Sequence, residues 1–267
     1  MAIGQQAGRI DEMAEHTSTD GDRLYPGAEL EGKDLSHQKL REVKLTRANL
    51  RGADLRDSDL TKAVLEGANL TDANLSGCGL VSASLEGADL KRANLSRTVL
   101  TDAMLRGASL ERAVLQGAKD ARYLERTNLE DADLRETEFA GARFKGAKLK
   151  GANLSGADLR EANLERCNLI AANLDGADLT GADLRGADLT DASLKETKLD
   201  EANLERANLT GANLSKATLN DTSLRGANLT DAVLDHAELD GADFSRSLIR
   251  NISIEGAKTD GAIELAL

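Results

Sequence analysis

The apolar residues of this chain recur at every fifth position. With the central apolar residue as i, Ala stands at i−2, Asp or Asn at i−1 and Leu at i. Two mostly polar residues follow, often with Gly at i+2. The stretch GANLSGADLREANLERCNLIAANLDGADLTGADLRGADL, residues 151–189, carries the pattern unbroken. In a first block the i positions run from Leu30 to Leu115, 18 units, and in a second from Leu124 to Ile254, 27 units. An α-helix advances about 100° per residue, so a step of five rotates successive leucines by about 140° and leaves no apolar stripe. A continuous strand fails as well, because an odd step sends successive leucines to opposite faces. The pattern predicts instead a short extended segment, i−2 to i, with Ala and Leu both inward, then a two-residue corner in which Gly tolerates positive φ. So short a strand must stack on copies of itself through backbone hydrogen bonds, which makes an all-β parallel solenoid.

Composition sharpens this picture. With 3 Phe, 2 Tyr, no Trp and 1 Pro, the core is built from Leu and Ala. Burying each Leu is worth roughly 1.5–3 kcal/mol, so aromatics are unnecessary. The tandem A(D/N)LXX units over residues 28–256 resemble the pentapeptide-repeat protein family. That resemblance implies a right-handed quadrilateral parallel β-helix with four pentapeptides per coil. At about 4.8 Å per coil it would have about 11 coils and a length of roughly 54 Å.

Solenoid ends expose strand edges and core leucines unless covered. Residues 1–27 are expected to form an N-terminal cap segment. Ile3, Ala7, Ile10 and Ala14 have helical spacing and predict a short capping helix over about residues 3–16. Pro26 opens the first coil. At the other end the repeat decays through Ile249, Ile252 and Ile254, leaving 257–267 as a tail that caps the last coil or docks on a second molecule. The chain is accordingly expected to be a monomer or an end-to-end dimer. The frame breaks once, over 116–123: Leu115 and Leu124 lie nine residues apart where intact repeats would place them ten apart. Either a corner tightens or bulges there, or a kink presents Arg122 and Tyr123 to a partner.

Nothing in the sequence suggests catalysis, a cofactor or a metal. His37 and His236 fall at solvent-facing i+2 corners and His16 stands apart from both. Cys78 and Cys167 replace inward Ala with no base nearby, and Phe139, Phe144 and Phe244 replace core Leu. The net charge of −12, from 34 basic and 46 acidic residues, disfavours binding to nucleic acid or an anionic membrane. No apolar stretch is long enough to span a bilayer and no basic, apolar leader opens the chain, so a cytoplasmic location is expected.

If four units make a coil, residues twenty apart share a column. The column with i from 139 to 239 carries Glu138, Asp158, Glu161, Asp178, Asp200, Glu201, Asp221, Glu238 and Asp240 against only Arg160 and Lys198. The column with i at 124, 144, 164 and onward is mildly basic, helped by Arg143 and Lys145. The acidic stripe is either a solubilising face or the docking face of a non-catalytic protein-interaction scaffold with a basic or DNA-binding partner. The family resemblance adds a narrower alternative, duplex-DNA mimicry toward DNA gyrase or topoisomerase IV.

Overall fold

The computed structural model describes residues 16–17, 21 and 23–265. Along the chain, i−1 residues twenty apart form parallel bridges: Glu29 with Asn49, Asn49 with Asn69, and onward to Asp243 with Ile263. Four pentapeptides therefore close one coil, and the bridges stack into one ladder per face.

The backbone amides of a single unit explain the motif. Leu50 N–H donates to the Asn69 carbonyl of the next coil at 2.7 Å, and Gly52 N–H to Thr71 at 2.8 Å. Asn49 N–H donates to the Ala28 carbonyl of the preceding coil at 2.9 Å, while Ala53 N–H closes a β-turn onto Leu50 at 3.0 Å. The remaining amide, Arg51 N–H, donates to the Asn49 side-chain oxygen at 3.3 Å. Every donor of the repeat is thus satisfied, the last one by the Asp or Asn at i−1 folded back as an Asx turn. That is why the i−1 side chains are half-buried, Asp158, Asp178 and Asp183 among them.

Every i+2 residue from Gly32 to Gly117 and from Arg126 to Gly261 has positive φ, the mark of a type II turn. Gly suits this corner, yet Arg126 (φ 58°) and Glu201 (φ 60°) adopt it equally. The turn bond and the bond to the next coil fix the corner from two sides, so the ladder holds a conformation that an isolated L-residue would avoid.

Inside, the Leu at i and the Ala at i−2 are buried continuously from Ala28 to Phe244. Phe139 and Phe144 meet edge to face, with ring centroids 5.4 Å apart. Where a hydroxyl replaces the inward Ala it is bonded: Ser58 Oγ donates to the Leu35 carbonyl at 2.7 Å and Thr222 Oγ1 to Leu199 at 2.6 Å.

The frame break is a tightened corner. One coil loses a residue, and its bridges shift to a spacing of nineteen, Met104 with Tyr123 through Lys119 with Glu138, before twenty resumes at Tyr123 with Arg143. At full spacing Arg122 would stand at the inward i−2 position ahead of Leu124. The shortened corner instead turns at Asp120 (φ 56°), buries Ala121 and leaves Arg122 exposed. Tyr123 is half-buried, and the Arg143 guanidinium lies 5.6 Å from its ring centroid.

Both ends differ from expectation. Residues 3–15 of the expected capping helix lie outside the described residues. Its last residue, His16, is extended, in strand β1 (His16–Thr17) pairing antiparallel with β2 (Arg23–Leu24). At the C-terminus the ladder continues past residue 256, through Glu238 with Lys258 and Asp243 with Ile263. Residues 257–263 therefore continue the last coil, because the pentapeptide spacing of Ala257 and Ala262 persists after Leu is lost at i. Ile249, Ile252 and Ile254 are only partly buried and pack against the core.

Candidate interaction surface

The twenty-residue register assembles the acidic column as a physical stripe. Glu138, Asp158, Asp178, Lys198, Thr218 and Glu238 follow one another as bridge partners. The corner below them stacks likewise: Glu161 N–H bonds to Thr180, Glu201 N–H to Asn220 and Asp221 N–H to Asp240.

Several of these carboxylates have cations. Asp158 pairs with Arg160 at 2.6 Å, Asp178 with Lys198 at 3.4 Å, Glu138 with Lys119 at 2.9 Å and Glu238 with Lys258 at 2.5 Å. The Arg160 guanidinium holds the Asp158 carboxyl below its ordinary range, against the opposing effect of burial. For Asp178 burial is the strongest single influence and opposes ionisation. The hydrogen bonds from Thr180 and Lys198 outweigh it, and the net shift is downward. Among the described residues, Glu161, Asp200, Glu201, Asp221 and Asp240 have no cation in ion-pair range. Asp200 also serves the fold, since it accepts from Thr218 Oγ1 at 2.5 Å and from Asn220 N–H at 3.0 Å across one coil. Counting charges within the second block misses Lys119 and Lys258, which cap the two ends of the stripe, and misses the backbone duty of Asp200.

The remaining chemistry is sparse. Cys78 and Cys167 are free and buried, and their Sγ atoms approach the Leu55 and Phe144 carbonyls at 2.8 and 3.0 Å. Burial pushes each thiol up to about 12. His37 and His236 are exposed at positive-φ corners, and His37 Nδ1 lies 3.7 Å from Asp57. Among the described residues no group of His, Cys, Asp and Glu is arranged to hold a metal ion, and no helix is long and apolar enough to cross a membrane.

HetL, a pentapeptide repeat protein involved in heterocyst differentiation regulation from the cyanobacterium Nostoc sp. strain PCC 7120, is 35% identical. The match covers 85% of this chain and 90% of HetL, with a TM-score of 0.30. A pentapeptide repeat protein of the Arabidopsis thaliana thylakoid lumen is 33% identical over 39% of this chain and 72% of its own, TM-score 0.38. QnrB1, a plasmid-mediated fluoroquinolone resistance protein, is 20% identical over 85% of this chain and 90% of its own, TM-score 0.33. No curated protein sequence matches. The family model described as pentapeptide repeats matches in eight copies across residues 27–57, 39–77, 78–117, 123–151, 147–186, 187–226 and 212–251, leaving out the tightened corner. With that coverage the protein belongs to the pentapeptide-repeat family, whose fold is a right-handed β-helix.

Proposed function

We propose that the protein is a non-catalytic scaffold that binds another protein along its rigid side, with the acidic column as the docking face for a basic partner. The observation that carries this reading is that Glu161, Asp200, Glu201, Asp221 and Asp240, without cations of their own, share one corner over four of five successive coils. A rod whose faces each stack twelve bridged residues, one coil more than the repeat count predicts and about 53 Å from first to last, offers such a face without a conformational change on binding. Two buried free thiols suit a reducing, cytoplasmic setting.

Mimicry of duplex DNA toward DNA gyrase or topoisomerase IV is a narrower form of this reading and has less support. Five unpaired carboxylates spread over about 19 Å, roughly one per 4 Å, are sparser than the one charge per about 1.7 Å of duplex DNA. A supercoiling assay with titrated protein tests it, and unchanged topoisomerase activity excludes it.

The scaffold reading is tested by capture on immobilised protein at two salt concentrations. Retention of a basic protein at about 0.1 M salt and its release near 1 M, where the screening length falls to about 3 Å, is the expected result. Retention only of proteins indifferent to salt would overturn the acidic docking face.

A further inference from the structure

The corner that follows face residues 124, 144, 164 and onward carries a second periodic feature. At i+2 the residues alternate between arginine and glycine: Arg126, Gly146, Arg166, Gly186, Arg206, Gly226, Arg246. All of them have positive φ, between 57° and 69°. The arginine before each glycine lies over it, since a Cβ there would stand in ordinary van der Waals contact, 3.6–3.9 Å, with Cγ of Arg126, Arg166 or Arg206. The arginine stems therefore lie across the glycine coils.

Of the neighbouring i+1 residues, Lys145 pairs with Glu165 at 2.6 Å, and Arg185 and Arg225 pair with the i−1 carboxylates Asp183 and Asp243 at 2.6 and 3.0 Å. Among the described residues Glu125 and Glu205 have no cation in ion-pair range and line the same corner, so the four i+2 arginines leave it with a net positive charge that these two carboxylates only partly offset. Among the described residues, Arg126, Arg206 and Arg246 have no carboxylate in ion-pair range. Arg166 has only Glu165 at 3.5 Å, and its side chain remains 77% exposed. Surface depressions of about 490 and about 260 Å³ lie along this corner, the first reaching Arg126 and Arg166 and the second Arg166 and Arg206.

The spacing selects the occupant. Arginines two coils apart stand about 9.6 Å apart. A polyproline II helix returns to the same side every third residue, about 9.3 Å along its axis, so four arginines stay in register within about 1 Å over their whole span. An acidic α-helix repeats on one side after seven residues, about 10.5 Å, and drifts out of register almost three times as far. A β-strand presents alternate residues, and every third one faces away.

We propose that this arginine–glycine corner binds an extended acidic protein segment in polyproline II conformation, with Asp or Glu at every third residue, each carboxylate meeting one arginine. The proposal rests on the scaffold reading but not on the acidic column. The two therefore fail separately: removing the acidic column leaves this corner intact.

The probe is the fluorescent peptide (Glu-Pro-Pro)5, compared with a peptide of equal charge in which Glu recurs every fourth residue, both read by anisotropy at about 0.1 M salt. Wild type should bind the three-residue peptide about tenfold or more tightly than the four-residue one. The triple variant Arg126→Gly, Arg166→Gly, Arg206→Gly should lose that preference, since glycine suits the positive φ and already fills this column at 146, 186 and 226. A variant equal in charge, Arg92→Gly, Arg97→Gly, Arg112→Gly, should retain it. An unchanged thermal transition for the triple variant separates loss of binding from loss of fold. Equal affinity for both peptides, tighter binding of an oligodeoxythymidine of the same charge, or an unaffected triple variant would overturn the proposal.

Discussion

Asp183 serves the backbone and a neighbour at once. Its Oδ1 accepts from Arg185 N–H at 3.1 Å, and the Arg185 guanidinium grips both oxygens at 2.8 and 2.6 Å. Asp54, Asp133 and Asp158 hold Arg56, Arg135 and Arg160 in the same way. In all four the arginine side chain is the main cause of a carboxyl held below its ordinary range, with burial working against it. The stabilisation these carboxylates give is complete above the unfolded carboxylate value of about 3.9 and is lost as pH falls through the lower folded values. Thermal unfolding should therefore fall steeply below about pH 4, and a variant with Asn at 54, 133, 158 and 183 should show a flatter profile. Identical profiles would refute the assignment. The sequence shows Asp and Asn at i−1 plainly. It hides their reason, because the amide they satisfy becomes a leftover donor only once the other four are assigned across coils. The two cysteines give a simpler test: with the thiols buried and raised to about 12, neither should react with a thiol reagent at pH 8 until the protein unfolds. Stoichiometric labelling of the folded protein would contradict their burial.

At the scale of one coil, the inward positions were legible because the period of five fits neither helix nor continuous strand. Leu179 is wholly buried in this stack. Leu179→Ala should cost about 2–5 kcal/mol, and Leu179→Asp should cost more, since an unpaired carboxylate then sits among stacked leucines. Urea unfolding with an unchanged midpoint for either variant would exclude a continuous core. The missing residue at the frame break was legible, but its purpose was not, since it depends on which side Arg122 takes. Inserting Leu between Lys119 and Asp120 restores the spacing but turns Arg122 inward. That insertion alone should destabilise the rod, and adding Arg122→Ala should recover most of the loss, as read by thermal unfolding. Equal destabilisation with and without Arg122→Ala would show that the corner is short for another reason.

For the whole molecule, the stacking of identical coils converts a repeat into faces, and a face carries chemistry that no single unit has. The acidic column could be read from the sequence once twenty residues made a coil. Its ion pairs to Lys119 and Lys258 could not, because Lys119 sits at the frame break and Lys258 lies where the Leu pattern has decayed. The end of the rod is legible only in part for the same reason, as backbone pairing outlasts the apolar signature. The central claim is that the acidic column binds a partner, and the most direct test is that captured partner's affinity for two variants. One carries Asp178→Asn, Asp200→Asn, Asp221→Asn and Asp240→Asn, which Asx turns and corners tolerate; the other carries Arg143→Gln, Lys145→Gln and Arg225→Gln. The account predicts that the first variant binds about tenfold or more weakly at about 0.1 M salt and that the second binds like wild type. Wild-type affinity in the first with loss of binding in the second would contradict it.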